Sequence, residues 1–251
     1  KADGGTFDGN VTMGGSLSAK GGAVFNEDSA DVDFRIESNS NANMFFVDAG
    51  NDKIGINTNA PNRMLGIENG DVQIHETGSS DPLLQFSVGN TQASPTQSYS
   101  LRIDNSDSDK FQLINGTSGE IALSVDTTGA ITKPKQPAFS AHLSSTSSAF
   151  ATDGSAVTVA FASERFDTNS DFASNTFTAP VTGKYLLGFH LRINNADSAA
   201  TYYIPTLVTS NHSYRDIINP KFSSDPAYIS MQLTVVADMD ANDTAYVTIQ
   251  Q

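Results

Sequence analysis

The stretch NTFTAPVTGKYLLGFHLRI, residues 175–193, decides the fold class. From Tyr185 onward, Leu187, Phe189, Leu191 and Ile193 fall on one side of an extended chain, and Leu186, Gly188, His190, Arg192 and Asn194 fall on the other. This is the pattern of a strand with one buried face. Pro180 suits a strand end where no backbone donor is required, Gly183 permits a turn, and Tyr185 opens the buried alternation. Working outward, further strands are expected in PAFSAHLSS (137–145), VTVAFASERFD (157–167), TYYIPTLV (201–208), YISMQLTVV (228–236) and AYVTI (245–249). In the fourth of these Ile229, Met231, Leu233 and Val235 alternate with Ser230, Gln232, Thr234 and Val236. Strands at this spacing predict an antiparallel sandwich whose facing sheets bury the first set.

Composition agrees with an all-β chain. The 251 residues are 38% hydrophobic, enough for a core, but only 17% charged, with Ser, Thr, Asn, Asp and Gly where helical proteins carry Lys and Glu. A formal charge of −14 disfavours nucleic acid, whose binding needs clustered Lys and Arg, and disfavours anionic membrane surfaces for the same reason. The apolar runs are too short for a helix to cross a bilayer, so no membrane insertion is expected. With no Cys, disulfides and thiolate metal sites are excluded. No signal peptide is visible at Lys1, and the absence of an initiator Met suggests that the chain begins inside a longer or processed product.

Ahead of the sandwich the chain changes character. Residues 1–32 are Gly-rich, with Phe7, Val11, Met13, Leu17 and Val24 too sparse to close a core, and are assigned as an attachment segment to other proteins. Residues 33–132 read as a repetitive ladder of short strands, since FRIESNSNANMFFVDAGNDKIGI (34–56) resembles LRIDNSDSDKFQLINGTSGEIALSVDTTGAIT (101–132). Asn69-Gly70 and Asn115-Gly116, with Gly50 and Gly129, supply turns. Narrow hairpins bury little apolar surface by themselves, so three copies about one axis, each supplying a wall, are expected: a homotrimeric shaft. KPKQP (133–137), with two prolines, reads as a semi-rigid neck, and 138–251 as a globular head.

Two resemblances sharpen these expectations. KIGINTNAPNRMLGIENGDVQI (53–74) resembles segments recurrent in phage tail-fibre shafts, the match resting on Ile54, Gly55, Ile56, Asn57, Thr58, Pro61, Leu65, Ile67 and Gly70, with Asn57 in place of the more usual Gly. The head resembles complement C1q-like globular domains, jelly rolls related to tumour necrosis factor. That likeness rests on residues 137–141, Phe166-Asp167, the turn at 169–172, the run FTAPVTGKY (177–185), Phe189-His190 and DANDTAYVTI (240–249), where Asn242 replaces Gly and Asp243 keeps the acid. It implies a compact trimeric tip. Heads of this family continue past the position of Gln251 with a closing strand, so the chain is cut there or the sheet is completed otherwise.

Candidate chemistry is sparse. His75, His142, His190 and His212 show no zinc-ligand spacing, and His190 is assigned a structural role in its strand. Glu164 and Asp167 are the carboxylate pair for glycoside hydrolysis, but their strand-to-turn placement favours a solvated turn, and no enzyme activity is expected. Asp238, Asp240, Asn242 and Asp243 form an oxygen-rich turn that can hold calcium, the one cofactor considered; NSDSD (105–109) is a weaker case. Asn10, Asn115, Asn211 and Asn242 open Asn-x-Ser/Thr triplets at the frequency chance supplies in so Ser- and Thr-rich a chain. Tyr202, Tyr203, Tyr214 and Tyr228 lie where the head is least like the family and are the expected contacts to a host glycan or protein receptor, with core packing or trimer contact the alternative. Together these readings describe a non-enzymatic virion fibre on an extracellular particle surface. The alternatives are a capsid-attached head fibre or decoration protein, a secreted C1q-like lectin, and a glycan depolymerase.

Overall fold

The computed structural model describes residues 9, 11–26, 29–89, 91, 93–146 and 153–251, so the expectations placed on Phe7 and Asn10 lie outside the described residues. It divides into two compact units, Lys1–Ile74 and His75–Gln251, the division falling inside the stretch 33–132. Among the described residues all regular structure is β apart from one 3-10 turn at Asn105–Asp107.

In the first unit, β1 (Phe34–Ile36), β2 (Phe45–Asp48) and β3 (Lys53–Ile56) form an antiparallel meander, and β4 (Leu65–Ile67) joins β3 in parallel with Ile54 opposite Leu65. The crossing between β3 and β4 starts at Asn57, whose φ of 62° lies in the left-handed region. Asn tolerates that region better than most side chains. Its side chain then secures the crossing, donating Nδ2 to the Glu68 carbonyl at 2.6 Å and accepting at Oδ1 from Asn41.

The second unit opens with a five-stranded antiparallel sheet of β5 (Leu83–Val88), β6 (Gln97–Asp104), β7 (Lys110–Asn115), β8 (Ile121–Val125) and β9 (Ile131–Thr132). The resemblance between 34–56 and 101–132 is realised as two meanders, the later one carrying an extra strand. Of the expected turn glycines, Gly129 does adopt a positive φ of 88° between β8 and β9. In the β7–β8 hairpin that conformation falls instead on Gly119, at 77°, while Gly116 lies against the Ser98 hydroxyl.

The register sorts this sheet into two unlike faces. Phe86 opposes Tyr99, Leu84 and Leu113 flank Leu101, and Phe111 lies between Ile103 and Val125, all on one face. The other face is polar and finished. Ser98, Ser100, Asp104, Gln112 and Ser124 are buried there, and Arg102 binds Asp81 at 3.0 Å, Asp104 at 2.6 Å and the Gln112 side-chain oxygen at 2.8 and 3.0 Å. Asp104 also caps the 3-10 turn, its Oδ1 accepting from the Ser106 amide and hydroxyl and the Asp107 amide.

The Ser106 hydroxyl above all, with Arg102 beside it, holds the Asp104 carboxyl below the ordinary aspartate range. A carboxyl lowered on folding contributes stability that is complete above the unfolded value, about pH 4, and is lost as pH falls through the folded value. The stability difference between wild type and Asp104→Asn, measured by urea denaturation, is therefore expected to be constant from pH 7 to about 5 and to shrink toward pH 2. A difference independent of pH contradicts this assignment.

The remaining strands make the sandwich. One sheet runs β13 (Phe172–Ala173), β14 (Thr176–Thr178), β19 (Thr244–Gln250), β16 (Ile204–Thr209) and β17 (Ser213–Arg215), with β11 (Val157–Thr158) also on β19. The facing layer holds two pairs, β15 (Gly183–Asn194) with β18 (Tyr228–Met239), and β10 (Phe139–His142) with β12 (Ser163–Asp167). The expected alternation in β15 is observed: Leu187, Phe189, Leu191 and Ile193 are buried and Tyr185 is half-buried. Opposite them in β18, Met231 is buried and Ile229, Leu233 and Val235 are half-buried, and the inward series continues to Ala237 and Met239. Burying each such aliphatic or aromatic side chain contributes about 1.5–3 kcal/mol, so this two-layer core holds the head together.

The run before β15 is read correctly at Pro180 and differently at Gly183. Ala179 still pairs with the loop ahead of β19, its amide donating to the Asp243 carbonyl, and Pro180 follows where that pairing stops. Gly183 makes no turn. It is the first residue of β15, opposite Met239, and its φ is not positive. The reversal is held instead by Tyr185, whose hydroxyl donates to the Val181 carbonyl at 2.6 Å.

Candidate functional site

The expected site residues do not gather into one place. Tyr203 is 1% exposed, in the core, and its hydroxyl accepts from the Asp197 amide at 2.8 Å. It is therefore a packing residue and not a contact residue, a correction that follows from its position one residue before β16, where the chain turns inward. Tyr202 and Tyr214 are half-buried, and Tyr214 lies edge-on to His212 with ring centroids 4.7 Å apart. Tyr228 alone of the four is fully at the surface, on the outward face of β18, with the Arg192 guanidinium 5.2 Å from its ring centre. Such a cation over a ring pre-orders both side chains and leaves a flat, amphipathic contact area. His190 and Gln232, opposite one another, share this outward face and are exposed. The central-strand role expected of His190 is thus a surface role, because its parity in β15 points it away from the core.

The oxygen-rich turn is occupied by protein donors. Asp243 accepts from the Asp240 amide at 2.9 Å and the Asn211 side chain at 2.7 Å, while Asp238 pairs with Lys184 at 2.6 Å. Asn242 has a φ of 74°, in the left-handed region that Asn tolerates better than most side chains. Among the described residues no group of three or more Asp, Glu or His side chains is placed to hold a metal ion; the carboxylate of Asp243 serves the turn itself. Asp167 is likewise a cap: its two oxygens accept from the amides of Asp171 and Phe172, and Glu164 lies exposed on β12. In NSDSD, Asp107 is committed to Lys110 and Gln112.

Sequence reasoning missed a concave feature of the head, between β10 and β15. Both β10 and β15 have one edge without a partner strand among the described residues, and both border the same groove. At one end a cavity of about 200 Å³ lies between Phe139 and Leu187 over Phe172, Phe177, Leu207 and Val247. At the other end a wider space of about 780 Å³ lies between Leu143 and Leu191, with Ile249 beneath. Apolar floor and free strand edges together suit an extended segment, which supplies backbone hydrogen bonds to the edges and alternate side chains to the floor. No signal in the sequence marked the groove, because it comes from the missing pairing between β10 and β15, which only the structure gives.

No family model matches the chain, and no curated protein matches it by sequence. Among solved structures the chain is similar to the globular domain of zebrafish complement 1qA protein. The identity is 20%, over 46% of this chain and 94% of that one, with a TM-score of 0.35. A superposition this partial adds nothing to the strand pairing above, which stands on its own residues.

Proposed function

We infer that the chain is a structural virion fibre protein, a homotrimer with a β-rich shaft and a C-terminal adhesive tip. The observation that carries this reading is the uncovered apolar side of the shaft strands. In the Lys1–Ile74 unit Ile36, Met64 and Leu65 are exposed, and in the sheet β5–β9 so are Phe86, Val88 and Tyr99, among the described residues. A fibre assembled from identical chains covers such surfaces, and a solitary chain does not.

The tip then works by multivalency. Three copies of a weak surface, such as the Tyr228–Arg192 patch on the outward face of β15 and β18, act together at high effective concentration on a host glycan or protein. The N-terminal segment is assigned to attachment on other virion proteins. The depolymerase alternative gains no support, since Asp167 spends both oxygens on the amides of Asp171 and Phe172.

Two measurements test this reading. Light scattering is expected to give about three times the 26.6 kDa chain mass, and antibody labelling is expected to decorate fibres on virus particles. A monodisperse monomer, or label confined to cell surfaces without particles, overturns it.

A further inference from the structure

The sheet β5–β9 carries more apolar surface on one face than its unit covers. Phe86 is 60% exposed and Val88 69%, and Tyr99, Ile103, Phe111 and Ile131 are exposed on the same face. No charged residue occupies that face, in a chain whose formal charge is −14. Its opposite face has no such deficit, because Arg102, Asp104 and Gln112 satisfy one another there. The edge is open as well: β5 is six residues long, exposed throughout, pairs only with β6, and contains neither Pro nor a charge. Monomeric proteins blunt such edges with those residues.

We propose that this apolar face, with the β5 edge, is the surface through which copies of the chain associate, each covering the same face of the others. The proposal rests on the trimeric reading above and narrows it from the exposed shaft strands at large to one face and one edge of this sheet. A second copy is the occupant that the charges favour. Chains each carrying −14 repel, and a charge-free face is where identical chains can approach without bringing like charges together. The size comes close. Five strands about 4.8 Å apart, from about 7 to about 26 Å long, present on the order of 400 Å². Two apposed faces therefore remove on the order of 850 Å² from water, a little under the lower bound for a specific interface. A third copy raises that total.

The experiment compares the two faces of one strand. Because the chain has no Cys, Phe86→Cys and Gln85→Cys each introduce a single thiol, on the apolar and the polar face respectively. In the assembled protein the thiol at 86 is expected to react with a maleimide at least ~10-fold more slowly than that at 85. The double variant Phe86→Glu with Phe111→Glu is expected to bring the mass by light scattering from three chains to one, with the far-ultraviolet circular dichroism of wild type. Should that variant misfold, the labelling ratio still decides. Equal labelling rates in a wild-type-like trimer overturn this surface and leave the trimeric reading standing. A wild-type chain that is a monomer at micromolar concentration overturns both.

Discussion

Replacing Phe177 by Ala is expected to lower the stability of the His75–Gln251 unit by about 3–5 kcal/mol. Phe177 is 2% exposed on β14, where it sits opposite both Phe172 and Ala245, and so joins the short outer strands to the central β19. Its ring lies 5.1 Å from Phe139 and 5.4 Å from Tyr185, and Phe139 in turn stacks on Phe172 at 4.7 Å. Through that cluster β13 and β14 in one layer hold both β10 and β15, which share no hydrogen-bonded pairing, in the other. Truncation enlarges a cavity that already borders Phe177, and neighbours held by strand pairing cannot collapse into it, which places the loss at the upper end of the range. The comparison is Phe166→Ala: Phe166 is 53% exposed on β12, and its removal is expected to cost less than about 1 kcal/mol. Urea denaturation followed by tyrosine fluorescence measures both. Equal losses for the two variants would show that the aromatic cluster does not organise the sandwich.

Where the sequence was legible, a strong local signal coincided with a long-range one. Period two in β15 and β18 identified the inward residues because both strands have one face against the opposite sheet, so parity and burial agree. The same parity argument places His190 and Tyr228 outside. Short elements carried no such signal: β13 and β17 have two and three residues, too few to show a period, and exist through their partners β14 and β16. The parallel pairing of β4 with β3 was equally invisible, since it depends on the path of the chain between residues 57 and 64.

The candidate site was less legible than the fold, for a related reason. Residue type suggested that four tyrosines form a contact surface and four turn residues a cation site, but type does not report direction. Tyr203 turned inward because it leads into β16, whose neighbours are core strands. Asp243 and Asp167 spend their oxygens on nearby amides, which is what short acidic side chains in turns most often do. The groove between β10 and β15 arises from an absence of pairing, and no individual residue encodes an absence.

The glycine at position 55 gives the sharpest test of the Lys1–Ile74 unit. A Cβ placed on Gly55 would lie 2.1 Å from the Thr58 carbonyl oxygen and 3.1 Å from its carbonyl carbon, so the obstruction is backbone and cannot rotate away. Gly55 sits in the middle of β3, with Phe46 on one side and Gly66 on the other. The chain folds back over it at Asn57 before reaching β4, so moving Thr58 means moving the crossing that makes β4 parallel to β3. Gly55→Ala is therefore expected to cost about 3 kcal/mol, the upper end for overpacking, and to release β4 from β3. The sheet has few reserves against such a loss, because Phe46 is its one fully buried large apolar side chain among the described residues. Hydrogen exchange at the amides of Ile54 and Glu68, which donate to the Met64 and Ile56 carbonyls, is the direct readout. Both are expected to lose protection in Gly55→Ala while amides of β15 and β18 keep theirs. Unchanged protection at Ile54 and Glu68 would mean that the crossing has room for a methyl group, and the close packing of Thr58 on β3 would have to be abandoned.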